Sequence, residues 1–135
     1  MSNIGEIFGT NEELESGAGV TIDYPGFSVT VHRAGGSNEK FKEVIAKKTK
    51  PHQQLLSRGL LDNDVSERIL METYAETVVV GWENVTDAKG KKIPYSPENV
   101  VKQFKAYPEF YKDIRTFAEK ASNFRDAQEE AAEKN

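Results

Sequence analysis

Cysteine is absent from this 135-residue chain, which excludes disulfides, thiolate nucleophiles and any zinc site built on sulfur. Histidine is scarce: only His32 and His52 could supply imidazole. His32 is expected at the end of a strand and His52 in a loop after Pro51. Neither has an acid or a nucleophile at a spacing that would suggest catalysis, so both read as surface or capping side chains. The longest apolar runs fall far short of the roughly 20 residues needed to cross a bilayer. Residues 1–15 are acidic with scattered apolar positions, unlike a basic and apolar secretory leader, so a cytoplasmic protein is expected. A phosphate-binding loop is missing as well, because Gly17-Ala18-Gly19 lacks the helix and lysine that should follow it. Glu67, Glu72 and Glu76 fall on helical faces without histidine or a second acidic row, and read as solvated charge. No enzyme activity, cofactor or metal is expected.

What is present suits one soluble domain. The charged fraction is 30% and the hydrophobic fraction 37%, within the range of a globular chain with some solvated length. At 135 residues there is room for one core and not for two. The net charge of -4 conceals a pattern. Glu6, Glu12, Glu13 and Glu15 make the start acidic, whereas Arg33, Lys40, Lys42, Lys47, Lys48 and Lys50 outweigh Glu39 and Glu43 in the next stretch. The acidic sign returns with Asp126, Glu129, Glu130 and Glu133. A nucleic-acid binder would use the basic cluster, but the acidic total and the few interleaved aromatics disfavour it.

Along the chain, residues 20–24 and 27–31 alternate around Pro25-Gly26. Proline presets the first turn position and glycine takes the positive φ of a type II turn, so a β-hairpin is predicted. Val20, Ile22 and Tyr24 should share one face, as should Phe27, Val29 and Val31. Two strands are marginal alone, so the hairpin must lean on helices or on another chain. Ser37 or Asn38 can cap a helix to about Lys48, with Phe41, Val44, Ile45 and Lys48 on one face. Pro51 interrupts, and Leu55, Leu56, Leu60 and Leu61 form a short apolar piece. Asp64 with Glu67 resembles a capping box, which starts a central helix at Val65 and carries it through Trp82; the β-branched run 77–80 also suits a strand. Val100, Val101, Phe104 and Tyr107 mark a helix that stops before Pro108. Phe110, Tyr111, Ile114, Phe117, Ala118, Ala121 and Phe124 mark another reaching about Arg125. The expected fold is mainly α, an N-terminal β-hairpin followed by a bundle of four to five helices, with α+β as the neighbouring class. Residues 1–18 are expected as a flexible acidic segment, 19–125 as the globular domain and 126–135 as a polar tail.

The most informative stretch joins two of these elements. Trp82-Glu83-Asn84-Val85 leads into a loop turning at Gly90, and Ser96-Pro97-Glu98 opens the next helix as an N-cap, a proline at the first helical position and an acid at the positive helix end. Trp82, Ile93 and Tyr95 should pack beneath the loop. With Pro94-Tyr95 before that cap, Pro108-Glu109-Phe110 after it and Asn123-Phe124 downstream, the order over residues 20–125 resembles the tail assembly chaperones of long-tailed bacteriophages, of the siphophage type.

The resemblance implies a non-enzymatic role in virion assembly. Such proteins bind the tape measure protein, keep it soluble, help recruit tail tube protein and leave before the particle matures. It also implies self-association, and a longer product made by ribosomal frameshifting near Glu133-Lys134-Asn135. A partner would need a strand edge or an apolar helical face. The candidate contacts are Phe27, Val29 and Val31 on the hairpin edge, and Phe110, Tyr111, Ile114 and Phe117 on the last helix. The competing expectation is a structural tail or connector protein retained in the virion, and after it a small nucleic-acid-binding regulator.

Overall fold

Strand β1 (Val20–Tyr24) and strand β2 (Phe27–Val31) form the predicted hairpin, paired Tyr24 to Phe27 and Val20 to Val31. Gly26 takes a φ of 91°, open to glycine and costly for other residues. The computed structural model describes residues 3–125, so the tail expected at 126–135 and its frameshift junction lie outside the described residues. The hairpin gains a third strand, β3 (Val79–Glu83), antiparallel to β2, in the order β1-β2-β3. Thr30 faces Gly81 and Val31 faces Val79, leaving Val80 as the extra residue of a bulge. One face carries Val29, Val31, Val79 and Trp82; the other carries polar groups, including Thr21 and Thr30, whose hydroxyls lie 3.1 Å apart.

Among the described residues, seven α-helices accompany the sheet: α1 (Ile4–Phe8), α2 (Glu12–Ser16), α3 (Glu39–Thr49), α4 (Gln53–Ser57), α5 (Asn63–Thr77), α6 (Pro97–Ala106) and α7 (Pro108–Glu119). The fold is thus α+β, mostly helical, with the expected N-terminal hairpin. The helix expected to run through Trp82 ends instead at Thr77. Its β-branched continuation fills the open flank of β2, where strand backbone is satisfied and branched side chains pack well. Asn38 locks the changeover: its Nδ2 donates to the carbonyl oxygens of Thr77 at 3.0 Å and Arg33 at 2.8 Å, while its Oδ1 caps α3 at Phe41 N. The expected capping box at Asp64 and Glu67 is replaced by Asp62, whose carboxylate accepts from Asp64 N at 2.8 Å. Ser96 caps α6 as predicted, accepting from Asn99 N at 3.0 Å. The last amphipathic helix stops at Glu119, short of Arg125, and a 3₁₀ turn (Ala121–Phe124) follows.

The core lies between the sheet's inner face and helices α5, α6 and α7. Val29, Val31, Val79, Tyr74, Val100, Phe104, Ile114 and Phe124 are all buried there, each large side chain contributing about 1.5–3 kcal/mol. An aromatic series crosses it: Phe41 meets Tyr74 at 5.8 Å, Tyr74 meets Tyr111 at 6.0 Å, and Phe104 meets both Tyr111 at 4.9 Å and Phe110 at 5.6 Å. Buried Thr73 and Thr77 return their hydroxyls to the carbonyls of Ile69 and Thr73, each at 2.7 Å, so neither is left unsatisfied.

Residues 11–18, expected to be flexible, are held against the domain. Glu15 is buried at 2% exposure and receives Arg33 Nη1 at 2.6 Å, Ser37 Oγ at 2.9 Å and Ser37 N at 3.2 Å. Burial alone would raise its carboxyl; the bonds from Arg33, Ser37 and Thr10 outweigh that and hold it below the ordinary range. The backbone adds Asn11 N to Phe124 O at 2.7 Å and Arg33 N to Glu15 O at 2.9 Å. A lone acidic stretch gives no sign of this, because its partners lie about twenty residues away.

Candidate functional site: an apolar groove beside the hairpin turn

Pro108 breaks the chain between α6 and α7, leaving Tyr107 outside both helices at φ -131° and ψ 80°. Its ring is 60% exposed, although Phe104 and Tyr111 on either side are buried. Tyr107 therefore stands at the rim of a groove whose floor is Phe110 and Phe27. The turn of the hairpin brings Phe27 there: its ring stacks on Tyr24 at 4.9 Å, and Phe110 meets it edge-on at 6.3 Å. Tyr24 is fixed in turn by Asp113, to which its hydroxyl donates at 2.5 Å.

The opposite wall is the connector between β3 and α6. Asn84 enters it at a φ of 62°, and Gly90 turns it at 82°. Asp87 organises the tip: its carboxylate accepts from Lys89 N and Lys91 N, both at 2.9 Å, while its own N–H donates to Lys91 O at 2.8 Å. Ile93 N donates to Val85 O at 2.8 Å, and Thr86 bridges Lys92. As expected, Trp82 and Tyr95 anchor the connector, with Trp82 Nε1 donating to Ile93 O at 2.9 Å, Tyr95 OH to Val79 O at 2.7 Å and the rings 5.9 Å apart. The result is a preformed groove of about 350 Å³ lined by Phe27, Val85, Ala88, Gln103, Tyr107 and Phe110, with Thr86 and Asp87 at its edge. Its chemistry is apolar with a polar lip and lysines on the adjoining loop, suited to an aliphatic or aromatic side chain presented by another chain.

Of the seven candidate contacts, Phe27 and Phe110 meet in this groove. Val29, Val31 and Ile114 are fully buried and Tyr111 is 3% exposed, so these four hold the fold together and no partner can reach them. The strand Phe27–Val31 is central and offers no edge, because β3 occupies its second flank. Phe117 is half-buried against Phe124, at 6.0 Å, on the side where Leu14 packs. Tyr107, Val85 and Ala88 were not expected. Tyr107 carried a signal all the same: an aromatic immediately before a helix-breaking proline has no helix face of its own.

Three of the remaining polar candidates, His32, Glu72 and Glu76, make contacts within the fold. His32 Nε2 lies 2.8 Å from Gly17 O. Glu72 and Glu76 flank Lys48 at 3.4 Å and 3.0 Å, an ion-pair set joining α5 to α3. Burial disfavours the charged Lys48 ammonium, and Glu76 and then Glu72 more than compensate, raising its pKa. Among the described residues, no three His, Asp or Glu side chains converge as metal ligands, and no helix is long and apolar enough to cross a membrane.

The family model of the YdaY prophage protein matches residues 36–135. The chain belongs to that family. No curated protein and no solved structure matches it. The matched span takes in α3 to α7, strand β3 and the connector, hence every lining residue of the groove except Phe27. The protein is accordingly phage-derived.

Proposed function

We propose that this prophage protein is a non-enzymatic tail assembly chaperone. It holds an apolar helical stretch of a tape measure protein in the groove between Phe27 and Tyr107, keeps that protein soluble in the host cytoplasm, helps recruit tail tube protein and leaves before the virion matures. The observation that carries this reading is the groove itself: preformed, apolar at its floor, and rimmed by a tyrosine 60% exposed. Tyrosine is enriched among the anchor residues of protein interfaces, and an apolar groove can receive the apolar face of a helix. Membership of a prophage family supports a phage-related role. Of the residues on which the resemblance to tail chaperones rests, Val85 and Phe110 line the groove, and Trp82 and Tyr95 anchor the connector that forms its wall.

The test is co-expression with the tape measure protein encoded beside this gene, followed by pull-down and a solubility assay. The expected result is a soluble, co-purifying tape measure protein, lost with Tyr107→Asp while the thermal midpoint of the variant stays within a few degrees of wild type. A tape measure protein that remains insoluble, with this chain recovered in purified virions, would instead establish a structural component.

A further inference from the structure

β1 is an edge strand, and one side of its backbone is unused. His32 N donates to Val78 O at 2.8 Å, so Ser28, Thr30 and His32 address β3 while Phe27, Val29 and Val31 address β1. The two-residue turn agrees, because it makes Tyr24 and Phe27 the first bonded pair. Tyr24, Ile22 and Val20 are thereby satisfied, and the N–H and C=O groups of Thr21 and Asp23 point away from the sheet. Among the described residues, no backbone group of another segment bonds to them. The far side of the sheet differs: there the connector folds over β3, and Tyr95 OH donates to Val79 O at 2.7 Å. β1 also lacks the proline and lysine that blunt many exposed edges.

Beside that edge lies a cavity of about 390 Å³, at the end of β1 away from the turn. Leu14 of α2, Val20 and Phe117 of α7 line it, together with Thr21, Asn123 and Arg125. The three apolar side chains are half-buried against the core. Strand alternation puts Val20 on the inner face of the sheet and the exposed Thr21 and Asp23 on the outer face. A strand added to β1 therefore drops one inner side chain, the one beside Val20, into the cavity and lays an outer one beside Asp23. The site is separate from the groove: at 3.3 Å per residue, Val20 lies about 13 Å along the strand from Tyr24, which stacks on Phe27.

The occupant must bring both an extended backbone and a free apolar side chain. A second copy of β1 brings only the first, because its inner side chains Val20, Ile22 and Tyr24 are packed against their own core. Residues 126–135 carry no apolar side chain larger than alanine, and their four acids against one lysine are repelled by Asp23. We propose that β1 receives an extended segment of another protein as a fourth strand. Alternate residues of that segment are apolar, one of them filling the cavity against Phe117, and a lysine or arginine on its other face lies beside Asp23. Main-chain bonds to Thr21 and Asp23 supply affinity, while the cavity and the Asp23 carboxylate select the sequence.

The probe is the end-blocked peptide Lys-Leu-Thr-Val-Lys-Leu-Thr, titrated into the isotope-labelled full chain and followed by NMR. Amide hydrogen exchange should slow severalfold at Thr21 and Asp23 and stay unchanged at Val85 and Tyr107. Peptide chemistry then tests the bonding without altering the protein. Methylating the amide nitrogens of the Lys and Thr residues, or instead those of the Leu and Val residues, should abolish binding in one case only, because one set faces β1 whichever way the strand runs. Asp23→Lys changes an exposed side chain outside the β1–β2 bonding and should weaken the peptide about two- to fivefold. A peptide with Glu at both Lys positions should recover that loss. Exchange that does not slow at Thr21 and Asp23 with millimolar peptide overturns the proposal. So do equal effects of the two methylated peptides, which would mean that side chains alone bind. Slowing in the free chain that grows with protein concentration would give the edge to a second copy and overturn it too. Tyr107 and Phe110 take no part, so failure here leaves the groove reading untouched.

Discussion

Two proline-broken helix pairs in this chain look alike in sequence and end differently. α6 and α7 meet at Pro108, and α3 and α4 are separated at Pro51; in both, bulky apolar residues follow the break. After Pro108, Tyr111 and Ile114 are buried and Phe110 and Phe117 are half-buried. After Pro51, Leu55, Leu56 and Leu60 stay exposed. Intrinsic hydrophobicity cannot explain the contrast, since leucine is as apolar as isoleucine. Length and opposition do. α7 has 12 residues, enough for a stripe three turns long, and the sheet and α6 lie across from it; α4 has five residues and faces solvent. An apolar residue becomes core only where a second surface meets it.

Mutation should sharpen that contrast. Ile114→Ala ought to cost about 3–4 kcal/mol in urea unfolding, through lost transfer energy and the cavity left in a rigid site. Leu56→Ala, of nearly equal size change, should stay within about 0.5 kcal/mol. Equal costs at the two sites would show that α4 is packed on the monomer and would undo the comparison. Next in size is the clasp on the N-terminal segment. Glu15→Ala should cost about 3 kcal/mol by leaving Arg33 without its partner in a largely desolvated position. Because the folded Glu15 pKa is depressed, its contribution is present above the ordinary value of 4.5 and lost as pH falls through the lower folded value. Wild-type stability measured downward from pH 6 should therefore drop more than that of Glu15→Gln. A smaller effect lies at the alkaline end. Burial raises Tyr24, Tyr74 and Tyr111, with Asp113 adding to the first and Glu119 to the second; Tyr111 is pushed up to about 12. Raised folded values mean stability that is whole below pH 10 and declines above it as the unfolded tyrosines ionise. Ultraviolet absorbance should show these three ionising late, together with unfolding.

The legible and illegible parts of the fold divide along the same line. The hairpin turn, the Ser96 cap, the stop at Pro108 and the packing of Trp82 beneath its loop were all readable, because each depends on residues a few positions apart. The span after Thr77 was misjudged as helix. Its apolar side chains suit either state, and what decided was the vacant flank of β2, some fifty residues earlier. Likewise, four of the seven candidate contacts proved to be core, since a stripe meant for a partner and one meant for the interior have the same spacing. Tyr107 was assigned to a helix face and is instead the exposed rim of the groove.

By itself, then, the sequence determined where backbone direction changes and which local conformations are allowed, through proline's fixed φ, glycine's access to positive φ and the capping power of short polar side chains. Tertiary structure alone decided which apolar surfaces were covered, that Glu15 would be buried against Arg33, and that a groove would open between the hairpin and the break at Pro108. Local preference needs only chain neighbours; burial needs an opposing surface, and that is brought up from distant parts of the chain.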